Sequence, residues 1–284
     1  MQEAPNVLEL LRSIGAPYWL LGVLLLAAGG HLGRTKKSKA MICACVVALF
    51  FILPIYKYLE QYRLLRNVIA ARTYFNLKCA EQAGVKIYKK MNGVKSVYAL
   101  KPLQPASEKD LFDQFWYGDP YSFNAQENRG EAALRAMILK IKASPGDAHG
   151  DGLEFAEIAL VENGISRFVR LSPSAEPPYF RTIESISKPV SRFALTWEDV
   201  STPKDRAHWV AGSRLRVVDQ ESGAIVAERI GFLIEPALGS RAGQRRPWLS
   251  AKSKSNTCPE AHDWTDRWFV LSVLNSTEEM RHEK

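Results

Sequence analysis

Charge is almost absent from two stretches near the N-terminus of this 284-residue chain. Residues 14–32 contain only His31 as a possible charge, and residues 40–56 contain no charged residue. A helix needs about 20 apolar residues, and at least about 17, to cross a hydrocarbon core of about 30 Å. Both stretches reach that range, and a domain of this size has little room for two core helices that are apolar all round. The sequence therefore predicts a transmembrane helical hairpin over residues 14–58, with spans at about 14–32 and 40–58.

A cleaved signal peptide is the alternative for the first span, because residues 27–30 are small enough for a cleavage site. Such leaders begin with a positively charged region. Here the tail of residues 1–13 carries Glu3 and Glu9 against the single Arg12. The composition of the tail therefore favours a retained span.

Cations are concentrated in the short loop between the two spans. Four of them fall within six residues: Arg34, Lys36, Lys37 and Lys39. Cytoplasmic loops carry an excess of Lys and Arg. The other side of the membrane would also receive cations, at positions 12, 57, 63 and 66. Because the density is higher in the loop, we predict a cytoplasmic loop and a globular part on the outward side of the membrane.

Cysteine is scarce, with four in the chain, and Cys43 and Cys45 fall inside the second span. Cys79 and Cys258 remain for the globular part. Two distant cysteines suit either one disulfide in an oxidising compartment or two unrelated free thiols. Neither has a second cysteine nearby, which excludes a four-cysteine zinc site.

Recognisable catalytic motifs are also missing. The sequence has no nucleophile elbow, phosphate-binding glycine loop, metalloprotease helix or dinucleotide fingerprint. The formal net charge of +8 is spread along the chain rather than gathered in one stripe with interleaved aromatic residues. A basic balance of this kind favours anionic lipid headgroups over nucleic acid. The sequence therefore predicts no cofactor, no metal and no nucleic-acid partner.

One polar segment has the alternating ligands of a calcium loop, at Asp147, His149 and Asp151. A calcium loop needs a bidentate glutamate at its twelfth position. Ile158 stands there. We therefore interpret residues 147–152 as a polar turn before a strand.

Glu198, Asp199 and His208 supply two carboxylates and an imidazole, which are the groups that general acid–base chemistry uses. Their spacing is not diagnostic. Thr202 followed by Pro203 is typical of a helix start, which would place His208 on a short helix. The structural interpretation is favoured, and a membrane-bound hydrolase using these three residues is retained as an alternative hypothesis.

A basic segment with an aromatic residue lies near the C-terminal end of the chain, at Arg241, Arg245, Arg246 and Trp248. If exposed, it would suit contact with anionic lipid or an acidic partner. The alternative is an ordinary solvated loop. Both interpretations place the segment at the surface.

The hydrophobic periodicity predicts an α+β domain over residues 91–284, carried on a helical stalk over residues 59–90 that extends the second span toward Tyr88. Short apolar runs joined by turns predict a mainly antiparallel sheet, covered by a few helices on one face. The predicted strands are 96–100, 154–161, 166–171, 179–186, 191–197, 214–219 and 224–234. Helical spacing recurs at 131–142, and residues 264–274 form a final apolar segment that is either helix or strand.

A set of short motifs resembles uncharacterised two-span inner-membrane proteins of proteobacteria, a group with no assigned activity. The motifs are Cys79, Ala83-Gly84, Ile87-Tyr88, Thr196-Trp197-Glu198-Asp199, Trp209, Ala211-Gly212-Ser213, Gly223, Ala227-Glu228, Gly231, Pro247-Trp248 and Cys258-Pro259. The resemblance implies a bacterial origin and supports pairing of Cys79 with Cys258. It implies nothing about a substrate.

These features favour a non-enzymatic function. The sequence predicts a membrane-anchored interaction or structural domain of an envelope assembly, whose partners are the lipid bilayer and another envelope protein. An immunity-type binder that neutralises a toxin at the envelope is a variant of this prediction. A hydrolase would gather its polar residues in a pocket. A binder would instead present an exposed apolar patch or an unpaired sheet edge.

Overall fold

A computed structural model gives the structure of the chain. It describes residues 14–32, 35–102, 106–122, 134, 137–138, 153–162, 165–173, 181–259 and 265–274. The chain divides into two compact units, Met1–Ala70 and Ala71–Lys284.

The first unit contains helix α1, Ala16–Leu32, and the first part of helix α2, Lys36–Gln82. Among the described residues, α2 is the helix that is long and apolar enough to cross a membrane, and α1 is a shorter apolar helix of 17 residues. The large apolar side chains of both helices are mostly exposed, as at Leu20, Leu24 and Leu49. For α2, exposure of this kind fits a helix that is apolar enough to cross a membrane.

Two glycines allow α1 to approach α2 within this unit. A Cβ atom on Gly22 would lie 3.0 Å from the ring of Phe50, and one on Gly29 would lie 2.9 Å from the side chain of Ile42. The Tyr18 hydroxyl donates a 2.5 Å hydrogen bond to the carbonyl oxygen of Phe50. Glycine at these two positions leaves room for the side chains of Phe50 and Ile42.

Helix α2 ends earlier in the chain than the sequence predicted. It ends at Gln82 rather than near Tyr88, and Gly84–Ile87 forms strand β1. Gly84 has a φ of +155°, a backbone conformation that residues with a Cβ rarely adopt. The helical prediction for residues 59–90 is therefore wrong beyond Gln82, because Gly84 turns the chain into a strand.

In the described part of the second unit, nine strands form one sheet with the order β1-β8-β7-β6-β2-β3-β4-β5, and β9 pairs with β8. The remaining strands are β2 Ser96–Lys101, β3 Phe155–Glu162, β4 Ile165–Pro173, β5 Arg181–Ile186, β6 Phe193–Asp199, β7 Val210–Asp219, β8 Ile225–Ile234 and β9 Thr257–Cys258. The helices are α3 Pro203–Ala207, α4 Pro247–Ser250 and α5 Thr265–Leu274.

The predicted α+β class with a mainly antiparallel sheet is confirmed. Strand β2 is the exception, because it lies between β3 and β6 and is parallel to both. The final apolar segment is the helix α5. Leu134, Met137 and Ile138 are helical and buried, and the rest of the helix predicted at 131–142 lies outside the described residues, as does the polar turn at 147–152.

The two faces of the sheet differ in character. On one face, Leu195, Leu215 and Ala227 pack with Phe269 and Val273 of α5 in the largest apolar cluster. On the other face, Val210, Phe232 and Ile234 pack with Ala71 and Phe75 of α2. The alternation of side chains along a strand gives each face its own set of residues.

A disulfide closes the second unit. Cys79 of α2 is bonded to Cys258 of β9, and their Cα atoms are 5.8 Å apart. The two residues are 179 positions apart in the sequence. Pairing of the two cysteines, one of the two readings that the sequence allowed, is confirmed.

Candidate functional site

Glu198 lies on β6 within a row of ion pairs on the polar part of the sheet. Its carboxylate is 3.2 Å from the Lys101 Nζ atom, 3.7 Å from Arg214 and 3.5 Å from Arg216. Arg216 also contacts Glu228 of β8 at 2.7 Å. These cross-strand pairs connect β2, β6, β7 and β8, so Glu198 acts as a structural carboxylate of the sheet.

The side chain of Asp199 lies on the face of the sheet opposite Glu198, because successive side chains of a strand point to opposite faces. Its Oδ2 atom accepts a 2.6 Å hydrogen bond from Arg206 of α3. Its Oδ1 atom accepts bonds from the backbone N–H and the hydroxyl of Ser201. The carboxylate is therefore paired with a cation and fixes the turn that leads into α3.

His208 is at the C-terminal end of α3. Its Nδ1 atom is 2.8 Å from the Lys204 carbonyl oxygen, and its ring stacks on Tyr74 with 4.3 Å between the ring centroids. No hydrogen bond or ion pair in the described part of the chain joins His208 to Glu198 or Asp199. The three residues of the hydrolase hypothesis thus have separate partners.

The helix start predicted after Ser201 is α3, and it carries a capping box. Thr202 Oγ1 accepts a bond from the Asp205 N–H, and Asp205 accepts a 2.7 Å bond from the Thr202 N–H. This reciprocal pair satisfies two donors at the start of the helix. Asp205 is fully buried and also binds Lys78 at 3.2 Å.

The basic segment near the C-terminus differs from the exposed aromatic loop that the sequence suggested. Trp248 is 1% exposed and donates a 2.7 Å hydrogen bond to the Asp113 carbonyl oxygen. Arg245 pairs with the buried Glu235 at 2.7 Å, and Arg246 pairs with Glu108 at 3.1 Å. The prediction of a surface contact is wrong for Trp248, because its indole packs into an apolar cluster with Leu111, Trp116 and Leu233.

Arg241 lies over the ring of Phe112, 4.9 Å from its centroid. The loop cations Lys36, Lys37 and Lys39 are exposed in the first turn of α2. Thr35 caps that turn, since its hydroxyl accepts a bond from the Ser38 N–H. Arg34 lies outside the described residues.

A buried polar cluster that the sequence did not reveal lies on the face of the sheet opposite Glu198. Asp119 Oδ2 accepts a 2.5 Å bond from the Ser213 hydroxyl of β7, and Asp119 Oδ1 accepts a 3.0 Å bond from the Ser122 N–H. The Ser122 hydroxyl is 3.1 Å from that of Ser213 and accepts a bond from Arg229 of β8. Both hydrogen-bond donors described for Asp119 are therefore neutral, while the cations Arg229 and Lys252 act on it through space.

Arg229 forms the other half of this cluster. It is fully buried and pairs with Asp266 of α5, which also accepts a 3.0 Å bond from the Trp197 indole N–H. Its guanidinium lies over the ring of Tyr121, 4.9 Å from the centroid. Asp266 is thus the direct counter-ion of Arg229, and Asp119 is not.

Asp119 and Tyr121 of this cluster both have a raised pKa. Burial raises the pKa of Asp119 to about 6, an effect opposed by its hydrogen bonds from Ser213 and Ser122. Burial also raises the pKa of Tyr121 to about 12. Desolvation disfavours the charged form of each group, which accounts for both directions.

Asp119 lines a pocket of about 320 Å³ at the carboxyl ends of the parallel strands β2 and β6. Parallel neighbours end at the same edge of a sheet, and Gly118 and Asp119 line the pocket together with the ends of these two strands. The lining residues are Leu100, Lys101, Pro102, Tyr117, Gly118, Asp119, Trp197 and Asp199. The pocket therefore combines apolar and aromatic walls with two carboxylates.

Asp119 is not among the candidate residues that the sequence predicted. The cluster around it is formed by residues 122, 213, 229 and 266, and no local spacing connects these positions. No group of three His, Cys, Asp or Glu residues arranged for a metal ion is found among the described residues.

Comparison of the chain with family models, with curated proteins and with solved structures gives no match. The resemblance to two-span inner-membrane proteins of proteobacteria stays a prediction.

Proposed function

We propose that the chain is a membrane-anchored, periplasm-facing interaction domain of a bacterial envelope protein. Its anchor is a transmembrane hairpin made of α1 and the first part of α2. Its globular domain is the sheet-containing unit closed by the disulfide between Cys79 and Cys258.

The disulfide is the observation that carries this proposal. Disulfides persist in oxidising compartments, and the cytosol keeps thiols reduced. Cys79 follows the apolar part of α2 on the same continuous helix. A bond formed there favours a domain that has crossed to the oxidising side of the membrane.

The anchor is supported by the two helices of the first unit. The contacts of Gly22 with Phe50 and of Gly29 with Ile42 fit two helices that pack side by side in lipid. Exposed Lys36, Lys37 and Lys39 in the short connection favour a cytoplasmic loop. A cytoplasmic loop between two spans sends the domain to the opposite side.

An interaction domain is favoured over the hydrolase hypothesis by the surface of the domain. Glu198, Asp199 and His208 each have separate structural partners. Strand β5 lies at one end of the sheet, no described strand pairs with its outer edge, and its Ile183 is 46% exposed. Tyr117 is 85% exposed. An open strand edge and an exposed aromatic residue are features that protein partners use.

Fusion of alkaline phosphatase tests the orientation. The reporter is active only where its own disulfides form, so fusion after Leu274 should be active and fusion within residues 34–39 should be inactive. An inactive fusion after Leu274, together with an active one in the loop, would overturn the proposed orientation.

A further inference from the structure

We infer that the outer edge of β1 binds an extended segment of a protein partner, in which acidic and apolar residues alternate, as an added strand of the sheet. Strand β1 lies at the opposite end of the sheet from β5, and no described strand pairs with its outer edge. The inference rests on the proposal that this is an interaction domain, and it names the docking edge and the chemistry of the partner.

The backbone of β1 presents hydrogen-bonding groups at this edge. The Tyr88 N–H donates a 2.9 Å hydrogen bond to the Val226 carbonyl oxygen of β8, directly after the last pair of the β1–β8 register. Successive residues of an antiparallel strand direct their N–H and C=O groups alternately toward and away from the neighbouring strand. The groups of Val85 and Ile87 therefore point to the open edge, where an added strand can bind them.

The side chains of β1 give the two faces of this edge different characters. Val85 and Ile87 are 38% and 37% exposed. They share a face with Ala227 of β8, which packs in the apolar cluster that contains α5. Lys86 points to the other face, because side chains alternate along a strand. A strand beside β1 thus meets apolar side chains on one face and a cation on the other.

The charge of this segment is of one sign. Residues 83–95 contain no acidic residue and four lysines, at positions 86, 89, 90 and 95. Lys95 is paired with Glu154 at 3.1 Å. Among the described residues, no ion pair involves Lys86, Lys89 or Lys90, and all three are exposed. The segment therefore favours a partner that brings carboxylates.

The carboxylate that lies directly opposite Lys86 has other partners. This is Glu228 of β8, which contacts Arg216 at 2.7 Å and Arg214 at 3.3 Å. Its charge is shared by two arginines, so Lys86 stays available to an external carboxylate. Opposite charges on facing residues of neighbouring strands stabilise their pairing.

Charge also decides between an acidic partner and a second copy of this chain. Two β1 edges paired with each other would bring their lysines together, and like charges on facing strands are destabilising. Lysine on an edge strand is one of the means by which proteins prevent such pairing. An acidic segment meets no such repulsion, and glutamates that alternate with apolar residues match both faces of the edge.

Fluorescence anisotropy of labelled peptides, with the full chain in a neutral detergent, tests the inference. The acidic probe has the sequence Gly-Glu-Val-Glu-Val-Glu-Val-Gly, and the matched control has lysine in place of each glutamate. The acidic probe should bind about tenfold more tightly, because only its charge complements that of the edge. Equal binding of the two peptides, or no binding of the acidic probe, would overturn the inference.

N-methylation of the probe separates strand addition from attraction between charges alone. In an antiparallel added strand the valines lie opposite Val85 and Ile87 and direct their N–H groups toward β1, whereas the N–H groups of the glutamates point away. Methylating the three valines should weaken binding about tenfold, and methylating the three glutamates should leave it unchanged. Equal binding of the two methylated peptides contradicts strand addition.

Variants of the chain then locate the site. Lys86→Glu should weaken binding of the acidic probe about fivefold, and Lys188→Glu, which changes the net charge equally at an exposed position after β5, should leave it unchanged. Ile87→Pro removes the outward N–H without removing a bond to β8, and it should weaken binding severalfold. Unchanged binding in Lys86→Glu and in folded Ile87→Pro contradicts the site.

Light scattering of the same samples tests the competing occupant. The chain should be a monomer in detergent, and a dimer that Ile87→Pro separates would show that a second copy occupies the edge and would overturn the inference. The reporter fusions measure the orientation of the chain independently of these binding tests. Loss of peptide binding with the expected fusion activities therefore contradicts the docking edge alone, and the reverse result contradicts the proposed orientation alone.

Discussion

Asp119, Glu157, Asp205, Asp219 and Glu235 are buried carboxyl groups, and each accepts hydrogen bonds from donors around it. At the scale of single residues they differ in what neutralises them. Four of these carboxylates have a cationic nitrogen within 3.2 Å of a carboxylate oxygen. The hydrogen-bond donors to Asp119 are neutral groups. The pKa of Asp119 is raised, whereas the pKa values of Asp205 and Asp219 are lowered, so their pH dependences have opposite signs.

Asp119 should make the free energy of unfolding fall as the pH rises. Its folded pKa of about 6 is above the unfolded value of about 3.9, so the native state holds the proton more tightly. Its contribution is largest below pH 3.9 and is lost as the pH passes 6, a change of roughly 3 kcal/mol. Arg229 opposes the shift and Asp266 adds to it.

Chemical unfolding of the full chain in detergent at pH 4 and pH 7 checks this expectation. The wild-type protein should lose stability relative to Asp119→Asn between the two pH values, because the variant has no carboxyl group to titrate. A stability difference that is the same at both pH values would show that Asp119 is not the responsible group.

Asp205→Asn should destabilise the domain strongly, since it leaves the nearly buried Lys78 without its carboxylate. Removing one partner of a buried pair costs about 3 to 5 kcal/mol. Glu154→Gln is the matched control, because the Lys95–Glu154 pair is 73% and 58% exposed and should be worth less than about 1 kcal/mol. Equal losses in the two variants, measured by chemical unfolding, would refute this distinction.

At the scale of elements, the strands that follow one another through short turns were predictable. Strands β3 and β4 meet at Glu162 and Ile165, and β7 and β8 likewise pair across a turn that contains Gly223, whose φ is +70°. Alternation and turn residues are local signals. They reveal hairpins because both partners are close in the sequence.

Two features of the sheet could not be predicted in this way. Strand β1 has four residues directly after a helix, and β9 has two, so neither is long enough to show an alternating pattern. Strand β2 pairs with β3 and β6, which begin 59 and 97 residues further along the chain. Parallel pairing at that separation depends on tertiary packing rather than on local sequence.

Gly29 tests the packing of the apolar helices. Gly29→Leu should separate α1 from α2, because a Cβ at this position already lies 2.9 Å from Ile42. Gly30→Leu is the matched control, since no atom lies within 4 Å of its Cβ position. Both substitutions add the same side chain to neighbouring positions of one helix.

Disulfide formation between Cys43 and an introduced Leu26→Cys measures the effect, because the Cys43 thiol is 3.8 Å from the Leu26 carbonyl oxygen. Trypsin cleavage in the loop leaves the fragments joined on a non-reducing gel only where the bond has formed. We expect a lower yield with Gly29→Leu and an unchanged yield with Gly30→Leu. Equal yields would contradict the helix contact.

At the scale of the whole molecule, the features that the sequence reveals directly are those that depend on local composition. An absence of charge over 17 residues or more is visible in the sequence, as is a loop with four cations. The polar pocket was not visible, because Asp119, Ser213 and Arg229 are brought together only by the sheet and its covering segments. A site assembled across nearly 150 residues, from Asp119 to Asp266, has no spacing that a motif could record.

The central claim is that the disulfide-closed domain lies in an oxidising compartment. Alkylation of thiols in intact cells with a mass-tagged maleimide tests it directly, in a Cys43→Ser, Cys45→Ser background that leaves only Cys79 and Cys258. After acid trapping, neither residue should react until a reductant is added, and both should then gain the tag. Full reaction of both thiols without reductant would place the domain in a reducing compartment and contradict the account.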